Sequence, residues 1–204
     1  MAQFRRLARA ESLMIRDALA AGREDEALLR LQALLSFSEQ IRTEGTLIHY
    51  MVGVAVSELG LEPLREWLPQ LQSPKTLDAL VALARDAEQR HTPVRAALTQ
   101  EYYLGLATHR DIASGNIKLQ DLHRWGFNDL NALSPEALLL QSGIGAFFVV
   151  KPSLREYQHY YDQLFAEFEK PPWERKPVPT NPKRFLNQLL LPVFDFSTKQ
   201  EQRA

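Results

Sequence analysis

What most restricts this chain is the stretch 24–71, where apolar side chains recur at helical spacing. Ala27, Leu28, Leu31, Leu34, Leu35, Ser38 and Ile41 follow one another at steps of one, three or four, which places them on one side of a 3.6-residue helix. Arg30, Gln32, Glu39 and Arg42 then face water. Leu47, Ile48, Met51, Val52, Ala55 and Leu59 keep the period. Val54 and Val56 make this second helix apolar nearly all round, so it should be the most buried element. Gly45 is expected to end the first helix in the left-handed conformation and Thr46 to cap the second, which ends near Gly60. The two helices should run antiparallel.

The same patterning governs the rest of the chain. Phe4, Leu7, Ala8, Met14, Ile15, Ala18 and Leu19 predict an inward face for a helix over residues 3–21, closed by Gly22. A short helix is expected from Pro63, burying Leu64, Trp67, Leu68 and Leu71. A capping side chain followed by proline occurs at Ser73-Pro74, Thr92-Pro93, Ser134-Pro135 and Asn181-Pro182, and each pair predicts a helix start. The helix from Pro74 should bury Leu77, Leu80, Val81 and Ala84. Ser153 with Glu156 reads as a capping box opening a long helix that carries Tyr157, Tyr161 and Leu164. Only residues 147–150 have strand-like composition, too few for a sheet. The expected fold is therefore all-α, about eight helices in antiparallel hairpins. It comprises a domain over residues 1–170, a proline-rich linker over 171–181 anchored by Trp173, and a C-terminal helix and tail over 182–204 docking on the same domain.

Composition narrows the partners. With 24 basic and 25 acidic residues the net charge is −1, so no bulk field attracts nucleic acid, and nucleic acid is not an expected partner. Cysteine is absent, which excludes disulfides and thiolate chemistry. The longest apolar run, residues 137–150, is broken by Gln141, Ser142, Gly143 and Gly145 and falls short of the roughly 20 residues a membrane span needs. The sequence reads as soluble, with no membrane span.

Reactive residues are sparse. The histidines are His49, His91, His109, His123 and His159, and no two share the four-residue spacing of a helical zinc site. Glu88 with His91 and Glu156 with His159 have the spacing of a di-iron bundle, but both pairs fall at helix ends, and neither a metal nor another cofactor is expected. Gln141-Ser142-Gly143 lacks the spacing of a nucleophile elbow. The catalytic set that the sequence permits is Glu44, His49 and Glu101, with Glu101 as base and His49 as acid in a small helical hydrolase or lyase. The binding surface it permits is a groove rimmed by Tyr103, Trp125 and Tyr160, receiving a protein or peptide. The apolar tail that begins at Leu189 and ends at Phe196 could join two copies of the chain.

The helix pair around Gly22 resembles one tetratricopeptide hairpin, without a second copy. The run from Ala27 to Leu35, with Thr46, Leu47, Ile48, Val52 and Ala55, then Glu101 and Lys151-Pro152-Ser153-Leu154 before Tyr157, resembles the helical region of a large group of uncharacterised bacterial proteins. Many of that group look membrane-anchored or exported. The resemblance implies a helical fold and no activity; it leaves a cell-envelope or exported context open, with the cytoplasm as the alternative. Because the informative residues specify packing, the leading expectation is a non-enzymatic interaction or scaffold domain.

Overall fold

The computed structural model describes residues 2–43, 45–71, 73–118, 121, 135–141, 144–179, 182–184 and 186–187. Among these the chain is all-helical, with no strand. The described residues form six long helices: α1 (Ala2–Ala20), α2 (Glu24–Thr43), α3 (Leu47–Trp67), α4 (Pro74–Arg90), α5 (Val94–Ala113) and, after the seven-residue α6 (Pro135–Gln141), α7 (Lys151–Phe168). That is fewer than the eight expected. One reason is local: α3 does not stop near Gly60 but runs through Gly60 and Pro63 to Trp67. Gly60 is there for space, since a Cβ on it would lie 2.9 Å from Leu34 Cδ2. Glu44, Trp125, Ser134, Asn181 and the tail from Leu189 to Phe196 lie outside the described residues.

The chain divides into two compact units, Met1–Glu101 and Tyr102–Ala204, with the division inside α5. In the first, α1, α2 and α3 pack on one another and α4 packs on α2. The core is Ala8, Ile15 and Ala18 of α1, Ala27, Leu31 and Leu34 of α2, Val52 and Val56 of α3 and Leu80 of α4. The expected inward face of α1 is rotated: Phe4, Leu7 and Met14 are exposed, because the stripe was wider than the contact and its small residues sit at the centre. Between α1 and α2, Gly22 takes φ +70°, while the Arg23 N–H reaches Ala18 O at 2.8 Å and the Gly22 N–H reaches Leu19 O at 3.0 Å. That is the left-handed helix stop the sequence predicts. Gly45 is different: it has no positive φ, and a Cβ there would stand 2.2 Å from that of His49. Ser73 caps α4, its hydroxyl accepting the Thr76 N–H at 3.4 Å.

The second unit is organised by α7. Its buried residues Ser153, Tyr157, Tyr160, Tyr161 and Leu164 fall at helical steps and build an aromatic cluster with Tyr102 and Phe165. The expected capping box is absent, because Ala146–Val150 forms a π-helical turn that leads directly into α7 and leaves Ser153 inside the helix. Glu156 instead accepts the N–H groups of Lys183 and Arg184 at 2.9 and 3.1 Å and the Asn187 amide at 2.8 Å. Burial alone would raise this carboxyl, but the Asn187, Lys183 and Arg184 donors outweigh it and hold it below the ordinary value. Trp173, expected as an anchor of the linker, is 82% exposed on a short 3-10 turn, Pro172–Glu174. No helix among the described residues is long and apolar enough to cross a membrane.

Candidate functional site

Two of the three candidate catalytic residues meet at the start of α3. Thr46 is extended there but its hydroxyl caps nothing; it pairs with His49 Nδ1 at 3.1 Å. The Leu47 N–H is taken instead by the Glu101 carboxylate of α5, at 3.3 Å. A carboxylate against the free N–H groups of a helix start is a stabilising arrangement. Burial raises the Glu101 carboxyl above its ordinary value, while the Leu47 N–H and the attraction of His49 work against the rise. Glu44, the third candidate, is not among the described residues.

The direction of that shift makes a prediction. A folded-state pKa above the unfolded one means that the native state binds the Glu101 proton more tightly. Its contribution to stability is therefore present at low pH and lost as pH rises from the ordinary carboxyl value of 4.5 through the raised one. Glu101→Gln still accepts the Leu47 N–H and carries no charge to bury. Urea unfolding at about pH 4 and about pH 7 should show the variant gaining on the parent at the higher pH. A variant that loses stability equally at both would refute the assignment.

The proposed aromatic rim is only partly present. Tyr103 is 60% exposed, whereas Tyr160 is 6% exposed and belongs to the packing of the second unit, as the α7 periodicity requires. Trp125 lies outside the described residues. The two glutamate–histidine pairs are engaged elsewhere: His91 bonds Arg42, Glu156 bonds backbone amides, and His159 bonds Gln163 at 3.0 Å. Among the described residues no three histidine, aspartate or glutamate side chains gather as metal ligands would.

Two features of the first unit were not legible as local motifs. The first is a polar cluster around Arg42, which does not face water but is 8% exposed. Its Nη1 donates to His91 Nδ1 at 3.2 Å, which places the imidazole proton on Nε2, and its Nη2 donates to Ser57 Oγ at 2.6 Å. Glu39 stands 3.7 Å from Nη1, beyond hydrogen-bonding range, and Thr92 claims its other oxygen with both N–H, at 2.6 Å, and hydroxyl. A cavity of about 300 Å³ opens on this cluster.

The second feature is a groove of about 610 Å³ between α2 and α4. Glu24 and Asp25 meet Thr76 and Lys75 at one end of this helix pair, and Ser36 meets Arg90 near the other, so α2 and α4 run side by side in one direction. Leu28, Leu29, Ala79, Ala82 and Leu83 form the floor, with Asp25 and Asp86 toward opposite ends. Leu29, which is not among the residues of the expected inward face of α2, is 67% exposed. Comparison with known proteins finds no matching family, no matching curated protein and no matching solved structure.

Proposed function

We propose that this chain is a non-enzymatic helical interaction domain, built of antiparallel helix hairpins, whose α2–α4 groove receives an amphipathic helix with basic flanks. The observation that carries the reading is the groove itself: an apolar floor, an unburied Leu29, and a carboxylate toward each end. An apolar helix face laid into such a floor is a recurrent recognition mode. From Asp25 to Gln32, a step of seven residues, the α2 wall of the groove rises about 10 Å, and Asp86 stands on the α4 wall. A helix as long as this wall, with a lysine about two turns from another, would bring one cation toward Asp25 and the other toward the Gln32 end, on the side of Asp86. Each carboxylate has a resident partner, Lys75 on Asp25 at 3.3 Å and Arg90 on Asp86, but both pairs are solvent-exposed and such pairs contribute about 0–1 kcal/mol. Titration of a leucine-rich peptide with lysines at that spacing is expected to show one-to-one binding. Leu29→Glu should weaken it about tenfold or more, a buried charge costing well over 1.4 kcal/mol. Equal affinity for parent and variant would end this reading.

A second reading keeps the enzyme alternative, a hydrolase or lyase with Glu101 as base and His49 as acid. It is motivated by the raised Glu101 carboxyl and its attraction to His49. Turnover of an ester or amide panel that survives Glu101→Gln unchanged would remove it.

A further inference from the structure

We infer that the opposite side of α4, facing α3 across α2, is a binding cleft for a single-chain amphiphile with an anionic head, of the long-chain carboxylate type. Two cavities adjoin there, and both are lined by Leu35 and Leu61. The first, about 240 Å³, has an apolar lining that includes Leu31, Leu64, Leu68, Leu80 and Val81. The second is the cavity of about 300 Å³ that ends on Arg42, Ser57 and His91. Together they form one trough along α2, leucine-walled at one end and charged at the other, where Arg42 and Arg90 stand with Glu39 and Glu88. From Leu31 to Arg42 the α2 backbone rises about 16 Å, room for an extended alkyl chain.

The charged end lacks what an anionic head supplies. A guanidinium has five N–H donors, and those of Arg42 with a hydrogen-bonded partner point to neutral acceptors, His91 Nδ1 and Ser57 Oγ. Its Nε is buried without a partner, beside Gly53, and the one ion pair it makes among the described residues, with Glu39 Oε2 at 3.7 Å from Nη1, is too long for a hydrogen bond, while Thr92 holds the other oxygen of Glu39. Glu88 and Arg90 stand at the mouth with opposite charges. A buried cation without a hydrogen-bonded counter-charge is costly, so a carboxylate bonding Nη1 gains more than it does at an exposed arginine. The apolar end is equally unfinished. Leu68, Leu77 and Val81 line it yet stay exposed, although the periodicity of α4 marks Leu77 and Val81 as core. An alkyl chain covers them against a lining that is apolar throughout this end.

The test is calorimetric titration of the full chain with dodecanoate and with dodecanol, both below their aggregation limits. The expected result is one-to-one binding of dodecanoate, with dodecanol weaker by about tenfold or more, the worth of a charge-assisted hydrogen bond. Ala84→Phe fills the apolar end from an exposed position and should abolish binding of both. Arg42→Met should erase the preference for the carboxylate, and Arg42→Lys should retain it. Where Arg42→Met does not fold, the head comparison in the parent and the Ala84→Phe variant still decide. No binding of dodecanoate, equal affinity for both compounds, or unchanged binding to Ala84→Phe would overturn the inference.

Discussion

Replacement of Tyr161 by alanine is expected to destabilise the second unit by about 3–5 kcal/mol, the range for removing a buried large aromatic. The residue has no exposed surface. Its ring lies 4.8 Å from that of Tyr157, 5.1 Å from Tyr102 and 5.7 Å from both Tyr160 and Phe165, with the Tyr160 ring perpendicular at 88°. These spacings fall in the favourable range for aromatic pairs, each worth about 0.5–1.5 kcal/mol beyond its area. Alanine therefore removes the transfer energy of one ring and several ring contacts at once, and leaves a cavity that neighbours fixed on α5 and α7 cannot close. Tyr103→Ala, on the exposed side of α5, should change stability by no more than about 0.5 kcal/mol. Urea unfolding followed by near-ultraviolet dichroism separates the two. Equal, small losses would mean that the tyrosines of α7 are not the core of this unit.

Gly53→Ala should be destabilising by about 2 kcal/mol, although alanine is the better helix former by about 1 kcal/mol. A Cβ at this position would stand 2.5 Å from Arg42 Cγ and 2.8 Å from the Ser38 carbonyl oxygen. The side-chain atom can move, but the carbonyl belongs to the α2 backbone and yields only if the helices part. Parting them lengthens the 2.9 Å bond from Ser38 Oγ to Gly53 O and shifts Arg42 from Ser57 and His91. Gly60→Ala is the control. It meets the tip of the Leu34 side chain at 2.9 Å, which can rotate away, so the loss should be smaller. A Gly53→Ala protein as stable as the parent would show that α2 and α3 do not approach so closely.

The comparison of these glycines shows how far sequence alone reaches. Helical period, the Gly22 stop and the Ser73 cap were readable because each is settled by residues within a few positions. Gly45, Gly53 and Gly60 were not, since what they accommodate lies on the neighbouring turn or on another helix and no local pattern records it. Arg42 was missed for the same reason. On a helical wheel it belongs with the polar residues, but His91 is 49 positions away and Ser57 is 15, so only the packing of α2, α3 and α4 reveals that the guanidinium is enclosed. Leu77 and Val81 fail in the other direction: their spacing marks a buried face, yet they stay exposed on the cleft. Of the candidate catalytic residues, Glu101 and His49 were expected in one set, but the bond of Glu101 to the start of α3 was not foreseen. Its bond to the Leu47 N–H spans 54 positions.

On the proposed function, this helical chain works by what its α2 and α4 faces hold. Amide hydrogen exchange, with and without the leucine- and lysine-bearing peptide, measures this directly. Added protection over residues 25–32 and 79–86, abolished by Leu29→Glu, is the predicted result. Protection that leaves both segments unchanged and falls instead around His49 and Glu101 would contradict it.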